Sequence, residues 1–288
     1  MSDPDSRLAV DLSGGLVRVL DGAMGGAMRS GSVGTPPGAV VDGRVLDPGA
    51  VGVALKQLLA RTEIDDSRAF VAVSDAVATF RVLKFALAAP DTEIDSAVAR
   101  ELSLDPSRMA TRWVEVRRTL DTRHVYAIAW DRAVVKKAAE AVRRAGLDPV
   151  VVELKSACVA RVVAEPSCIV LDTSSDPMEI VLIDGGVPQV WHCFHADASF
   201  GDDLAPALAG PLRSVLRFFK SRRHDSGFGS ASPVFIAGLQ MLPMQVVARL
   251  SEAIEHPVLE LPIPVRTPPE LRYTTYLTCL GLIARRTQ

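Results

Sequence analysis

Two stretches of the chain repeat one pattern of hydrophobic and polar positions. Residues 8–22 contain an apolar run, then Asp11 with a Ser-Gly-Gly turn, a second apolar run and a closing Asp-Gly. Residues 168–190 repeat this order around Asp172. Apolar runs bounded by Asp, Ser, Pro and Gly are typical of β-hairpins. The repetition predicts a duplicated structural unit, and the alternative is chance similarity between two ordinary surface hairpins.

The segment between the two hairpins alternates strand and helix patterns. Residues 23–38 are predicted to form a loop or a weak strand, and 47–61 an amphipathic helix that Asp47 caps. Residues 69–145 show the order strand, strand, helix, strand, strand, helix. This order predicts a compact α+β subdomain inserted between the hairpin units.

The part after the second hairpin continues the alternation. Its pattern predicts strands at 189–194, 234–237 and 258–261, and helices at 204–222, 244–254 and 274–284. The Gly210-Pro211 pair is expected to break the first of these helices, because proline lacks the amide hydrogen that a helix interior uses.

Composition restricts the class of protein. The 288 residues are 48% hydrophobic and 23% charged, with a net charge of −2, which predicts a soluble globular protein that does not bind nucleic acid. No apolar run is long enough for a membrane helix, and the polar start is unlike a signal peptide. The four cysteines form no C-x-x-C pair, which favours reduced thiols in the cytoplasm.

Both predicted hairpins place an aspartate where a buried strand ends, followed by small or hydroxyl residues. A carboxylate suits a cation, and small residues let backbone amides approach anionic oxygen, so the pattern favours a loop facing Mg²⁺ or phosphate. His192, Cys193 and His195 are close in sequence, but strand alternation puts His192 and Cys193 on opposite faces. No metal site and no catalytic residues are predicted.

The succession of motifs resembles the actin/Hsp70-like ATPases and, among them, the PilM-type proteins of type IV pilus machinery and twitching motility. LAVDLSGGLVRVLDG resembles their first phosphate loop, and GAVVDGRVLDPGAVGVALKQLL the segment after it. AFVAVSDAVATFRVLKF and LDPSRMATRWVEV are similar to the inserted 1C subdomain of PilM and FtsA. SPVFIAGLQMLPMQVVARL is similar to the adenosine motif. The resemblance covers nearly the whole chain.

The resemblance implies an α/β fold made of two actin-like (ribonuclease H-like) domains. Domain 1A is expected at 1–68 and 146–166, and an inserted SHS2-like 1C subdomain at 69–145. Domain 2 is expected at 167–288. Its small subdomain is expected to be reduced, because the segment before the 212–222 helix is much shorter than in PilM.

By the same resemblance, the nucleotide site involves eight residues. Asp11 and Asp172 correspond to the Mg²⁺ side, and Gly238 to the base or ribose. The residues that correspond to the phosphate loops are Ser13, Gly14, Gly15, Ser174 and Ser175. The second loop departs from the family, because Thr173 replaces a glycine and Asp176 adds negative charge. We therefore expect no cofactor, or weakly bound Mg-ATP, in a degenerate ATPase that is not an enzyme.

The function that the resemblance implies is that of a cytoplasmic adaptor, peripheral to the inner membrane. It docks the N-terminal tail of a PilN-like membrane protein in a groove between the 1A and 1C subdomains. Val82, Phe85 and Trp113 are candidates for the groove lining, with ordinary core packing as the alternative. Pilus motor ATPases and further copies of the chain are the other expected partners. The alternatives are a functional Mg-ATP-binding actin-like ATPase and a GspL-like component of type II secretion.

Overall fold

Fifteen strands and seven α-helices make up the computed structural model, which describes residues 6–102, 105, 107–174, 177–195, 204–222, 227–238, 242–262 and 266–285. The strands are β1 (Arg7–Asp11), β2 (Leu16–Gly22), β3 (Met28–Gly34), β4 (Val40–Val41), β5 (Arg44–Val45), β6 (Arg68–Val73), β7 (Ala78–Ala86), β8 (Met109–Arg118), β9 (Thr122–Asp131), β10 (Asp148–Leu154), β11 (Cys168–Asp172), β12 (Met178–Asp184), β13 (Val187–Phe194), β14 (Val234–Ala237) and β15 (Val258–Glu260). The helices are α1 (Pro48–Arg61), α2 (Asp91–Glu101), α3 (Arg132–Arg144), α4 (Lys155–Val162), α5 (Leu204–Arg222), α6 (Met244–Ile254) and α7 (Leu277–Ile283).

Two five-stranded sheets share one topology. The strand order is β10-β6-β1-β2-β3 in the first sheet and β13-β12-β11-β14-β15 in the second. The antiparallel meander is β1-β2-β3 in the first sheet and β11-β12-β13 in the second. The other two strands of each sheet follow later in the chain and run parallel to β1 or β11. The duplication that the two hairpins predict is therefore confirmed at the level of whole sheets.

Helices cover the sheets in three apolar layers. One face of the first sheet packs against α1 and α3, and one face of the second against α5 and α6. The remaining two faces meet α4 and α7, which lie between the sheets with Ala9, Val170 and Val181 in one shared core. This middle layer joins the two halves of the molecule and brings the ends of β1 and β11 close together.

The inserted subdomain is a three-stranded sheet, β7-β9-β8, with α2 on one face. The bounds expected for the insertion, 69–145, stay a prediction, and two elements within them contact the first half. Strand β6 pairs with β1 in the first sheet, and α3 packs against α1 in the core of that sheet. Apolar side chains of these two elements contribute to the core of the first sheet.

Strand β3 confirms the strand alternative for residues 23–38 and is the edge strand of the first sheet. Two other elements differ from the sequence-based predictions. Helix α5 continues through Pro211, because Leu208, Leu212 and Val215 keep one apolar face buried across it. Helix α7, expected within domain 2, packs against α4 and the first sheet. Within the described ranges, no helix combines the length and apolar character needed to cross a bilayer.

Candidate functional site

The two hairpins present equivalent positions at the ends of their first strands. The register of β1 and β2 places Asp11 opposite Arg18, and the register of β11 and β12 places Asp172 opposite Glu179. Both aspartates also accept a hydrogen bond from the backbone amide two residues later. Ser13 N lies 2.9 Å from Asp11 Oδ1, and Ser174 N lies 2.8 Å from Asp172 Oδ1. Each loop therefore begins with the same Asx turn, with its amide directed at its own aspartate.

Arg18 connects the two loops. Its side chain is 2% exposed, and its Nη1 lies 3.4 Å from Asp11 Oδ2. The Nη2 atom donates to the backbone oxygen of Ser174 at 3.2 Å and to the Ser174 hydroxyl at 2.8 Å. A guanidinium suits this position because its planar fork can donate in several directions at once. One arginine thus binds both the first half and the second half of the molecule.

Lys155 makes a second connection. It is the first residue of α4, directly after β10, and its side chain is 1% exposed. Its Nζ lies 2.7 Å from Asp172 Oδ2 and 3.1 Å from Glu179 Oε2. Glu179 Oε2 also accepts a hydrogen bond from Trp191 Nε1 at 3.2 Å. Two buried cations therefore face three buried or nearly buried carboxylates: Asp11, Asp172 and Glu179.

The pKa shifts follow from this charge pattern. Burial alone lowers the pKa of Arg18 and of Lys155, but the surrounding carboxylates outweigh burial and raise both pKa values. For Asp172, burial raises the pKa, but the Lys155 and Arg18 cations lower it by more. The pKa of Asp172 therefore lies below the ordinary value. The pKa of Glu179 is raised, mainly by burial. Both cations are accordingly held in their charged form.

Asp75 lies beside this cluster and bonds to α4. Its Oδ2 accepts from the Ser156 amide at 2.9 Å, and its Oδ1 accepts from the Ser156 hydroxyl. Burial, which these hydrogen bonds only partly offset, raises the pKa of Asp75 to about 7. The Tyr126 hydroxyl of the inserted sheet is also buried, which raises its pKa well above the usual value.

The structure brings together some of the sequence-predicted nucleotide residues. Asp11, Ser13 and Ser174 are buried and lie in one cluster with the partly exposed Asp172. Gly14 and Gly15 form the more exposed turn of the first hairpin. Ser175 and Asp176 lie outside the described residues.

Gly238 lies against the second loop. A Cβ added to Gly238 would lie 2.5 Å from Thr173 Oγ1 and 2.9 Å from Ser174 N. Thr173, which replaces the family's glycine, uses its amide and hydroxyl to hold Ala237 O at 2.9 and 3.1 Å. The loop is therefore packed directly against the end of β14, and Gly238 provides the room for that approach.

Sequence reasoning missed the residues that dominate the cluster, which are Arg18, Lys155, Glu179 and Asp75. A signal was present in each hairpin. A charged residue interrupts an otherwise apolar strand at Arg18 and at Glu179, and hairpin register places each of them opposite the aspartate. Lys155 follows the apolar strand VVVEL directly. No group of three or more His, Cys, Asp or Glu suited to a metal ion occurs in the part of the chain that the structure describes.

A groove of about 990 Å³ separates the inserted sheet from the first half. Five consecutive residues of β10, 150–154, line it, as do three consecutive residues of β8, 112–114. Successive side chains of a strand point to opposite faces, so a groove that touches consecutive residues runs along a strand edge. Both strands are at the ends of their sheets. The groove thus lies between two strand edges, with Tyr126, Ile128 and Trp130 also in its lining.

The three sequence-predicted groove residues lie in different places. Trp113 lines the groove but also packs on the α2 cluster, and its Nε1 donates to Asp95 Oδ1 at 2.8 Å. Phe85 packs on the same cluster. Val82 lines a separate cavity of about 610 Å³ between β7 and the second half. Of these three residues, only Trp113 is in the lining of the groove.

Comparison with known proteins adds the fold class. Scans against protein-family models and against curated sequences each return no match. Among solved structures, the chain is similar to a PilM–PilN type IV pilus biogenesis complex (TM-score 0.72, 20% identity, covering 96% of both chains). It is also similar to the ethanolamine utilization protein EutJ of Carboxydothermus hydrogenoformans (TM-score 0.57, 14% identity, covering 98% of this chain and 90% of EutJ).

A third similar structure is the cytoplasmic domain of EpsL, an inner-membrane component of the Vibrio cholerae type II secretion system. Its TM-score is 0.50 at 11% identity, covering 86% of this chain and 94% of that one. The protein has the actin-like ATPase fold. Within that class, it has the architecture seen in PilM over nearly its whole length.

Proposed function

We propose that this protein is a PilM-like adaptor that docks the N-terminal tail of a PilN-like inner-membrane protein. The observation that carries the proposal is the groove between the inserted sheet and the first half. The similar PilM structure is that of a complex with PilN, which supports a partner of this kind. In this role the protein is cytoplasmic and reaches the inner membrane through its partner, while pilus motor ATPases and further copies of the chain are additional partners.

The groove has the features that an extended peptide needs. A tail can add a strand to the edge of β8 or β10, where main-chain hydrogen bonds supply affinity without a long side-chain match. Val114, 51% exposed, and Trp130 offer apolar contacts for alternate side chains of the tail. The lining contains more positive than negative side chains: Arg112, Arg161 and Arg285 against Glu153. Glu153 pairs with Arg161 and Arg285. The groove therefore favours a tail that carries an acidic group.

Two other functions are compatible with the fold, a GspL-like secretion component and a functional ATPase. A GspL-like component of type II secretion is supported by the likeness to EpsL, and it would use a different membrane partner. A functional Mg-ATP-binding ATPase would need the Asp11 and Asp172 carboxylates for the metal. Both are paired with cations of the protein itself, at 3.4 Å and 2.7 Å, which favours the adaptor.

Replacing Val114 with glutamine tests the docking site. The Val114→Gln variant should bind a synthetic PilN-like tail about tenfold more weakly, because a polar side chain replaces an apolar contact on the groove edge; tenfold corresponds to about 1.4 kcal/mol. Leu120→Gln is the matched control, since Leu120 is 93% exposed at the tip of the β8–β9 turn, outside the groove. Isothermal titration calorimetry measures both. Equal weakening in the two variants, or none in Val114→Gln, would contradict docking in this groove.

A further inference from the structure

The actin-like fold implies a nucleotide with Mg²⁺ between the two halves, and the residues that the structure describes at that place do not fit such a ligand. The carboxylates that would face the metal are paired with Arg18 and Lys155. The Ser13 and Ser174 amides point to Asp11 and Asp172. Binding Mg²⁺ there would require two buried cations to leave the carboxylates that hold them charged, which is costly in a dry interior.

The same two cations bridge the halves. Arg18 comes from β2 of the first sheet and donates to Ser174 of the second half. Lys155 comes from α4, directly after β10 of the first sheet, and pairs with Asp172 and Glu179 on the second sheet. These contacts lie at the closed ends of both hairpins, where a bound nucleotide would contact both loops. Positive charge from the chain thus takes the position of an external bridging ligand.

We infer that Arg18 and Lys155 form a built-in clamp that fixes the relative position of the two halves without nucleotide. The chain then has one closed arrangement, and its shape does not respond to Mg-ATP. The inference concerns the contact between the halves, so it is independent of whether a tail binds in the groove beside the inserted sheet.

A distance measurement between the halves tests the clamp. Spin labels are attached at Gln57→Cys on α1 and Arg217→Cys on α5, both exposed, after Cys193→Ser removes the half-buried cysteine. Pulsed electron paramagnetic resonance should show one narrow distance distribution that Mg-ATP leaves unchanged. Adding Arg18→Met should broaden the distribution, shift it to longer distances and lower the melting temperature.

Two further variants make the result decisive. Arg29→Met is the matched control, because Arg29 pairs with Asp21 within the first half only, and it should leave the distribution narrow. If Arg18→Met fails to fold, the pair Asp11→Asn with Arg18→Gln removes the bridge without leaving a buried charge unpaired. A distribution that Mg-ATP narrows in the wild type, or one that loss of Arg18 leaves unchanged, would overturn the inference.

Discussion

Asp75 is a residue whose ionisation opposes folding. Asp75 is 1% exposed, and its carboxyl group accepts hydrogen bonds from both the amide and the hydroxyl of Ser156. Burial raises the pKa of Asp75, and the hydrogen bonds from Ser156 lower it by less. The Glu179 carboxylate raises it further and the Lys155 cation lowers it, both with smaller effects. The result, about 7, lies above the 3.8 of a free aspartate. The folded state therefore keeps a proton that the unfolded chain has already released.

The stability of the protein should fall between about pH 4 and pH 7. In this window the folded state binds more protons than the unfolded state, so each rise in pH favours unfolding until the folded carboxyl also ionises. Glu179, with its raised pKa, contributes in the same direction. A shift from 3.8 to about 7 corresponds to at most roughly 4 kcal/mol. Asp75→Asn should flatten this part of the profile, measured by urea unfolding at each pH.

The control for this experiment is Asp121→Asn. Asp121 is exposed in the turn between β8 and β9, so its replacement should leave the pH dependence as in the wild type. If stability still falls steeply from pH 4 to pH 7 in Asp75→Asn, groups other than Asp75 cause the pH dependence. A flat wild-type profile would contradict the assigned pKa directly.

At the residue scale, the sequence predicts part of the site. The repeat identifies Asp11, Asp172 and the serines that follow them, because an acid at the end of a buried strand is a local pattern. The sequence does not identify Arg18 or Lys155 as site residues. An arginine in a strand, or a lysine at the start of a helix, suits a solvent-facing position equally well. Only the packing of both halves decides that these two side chains are buried.

At the scale of elements, α4 and α7 pack against each other in the layer between the two sheets. A Cβ added to Gly281 of α7 would lie 2.1 Å from the backbone oxygen of Cys158 in α4. Because real Cβ atoms do not approach an oxygen so closely, any side chain at Gly281 must push the helices apart. The absence of a side chain at this one position sets the spacing of the middle layer.

Gly281→Ala should therefore destabilise the protein by about 1–3 kcal/mol, as overpacking of a filled core does. Gly210→Ala in α5 is the matched control, since no atom lies within 4 Å of a Cβ at that helical glycine. Its stability should stay within about 1 kcal/mol of the wild type. Urea unfolding measures both variants, and equal stability of the two would contradict the close packing of α4 against α7.

The elements that the sequence predicts less well are those that distant packing decides. Strand β3 lies at the edge of the sheet and has few apolar residues. Its pairing with β2, rather than its own sequence pattern, makes it a strand. Strand β6 looks like the start of the insertion, and only its pairing with β1 assigns it to the first sheet. By contrast, α1 was predicted with its cap, because Asp47 accepts from Gly49 N and Ala50 N as its local sequence indicates.

For the whole molecule, the architecture separates two regions that differ in chemistry. Among the described residues between the halves, Arg18 and Lys155 are paired with carboxylates and are 2% and 1% exposed. The groove beside the inserted sheet has two strand edges and a lining that combines apolar side chains with three arginines. A protein that binds a partner's tail but no nucleotide would have this distribution. The sequence predicts the two halves and the insertion, but not the charge pairing that distinguishes the two regions.

Calorimetric titration of the protein with a PilN-like N-terminal tail, in the presence and absence of Mg-ATP, tests the central claim most directly. We predict saturable one-to-one binding with the same affinity in both conditions, and no heat of binding for Mg-ATP alone. Failure of the tail to bind, or binding that requires Mg-ATP, would contradict the account.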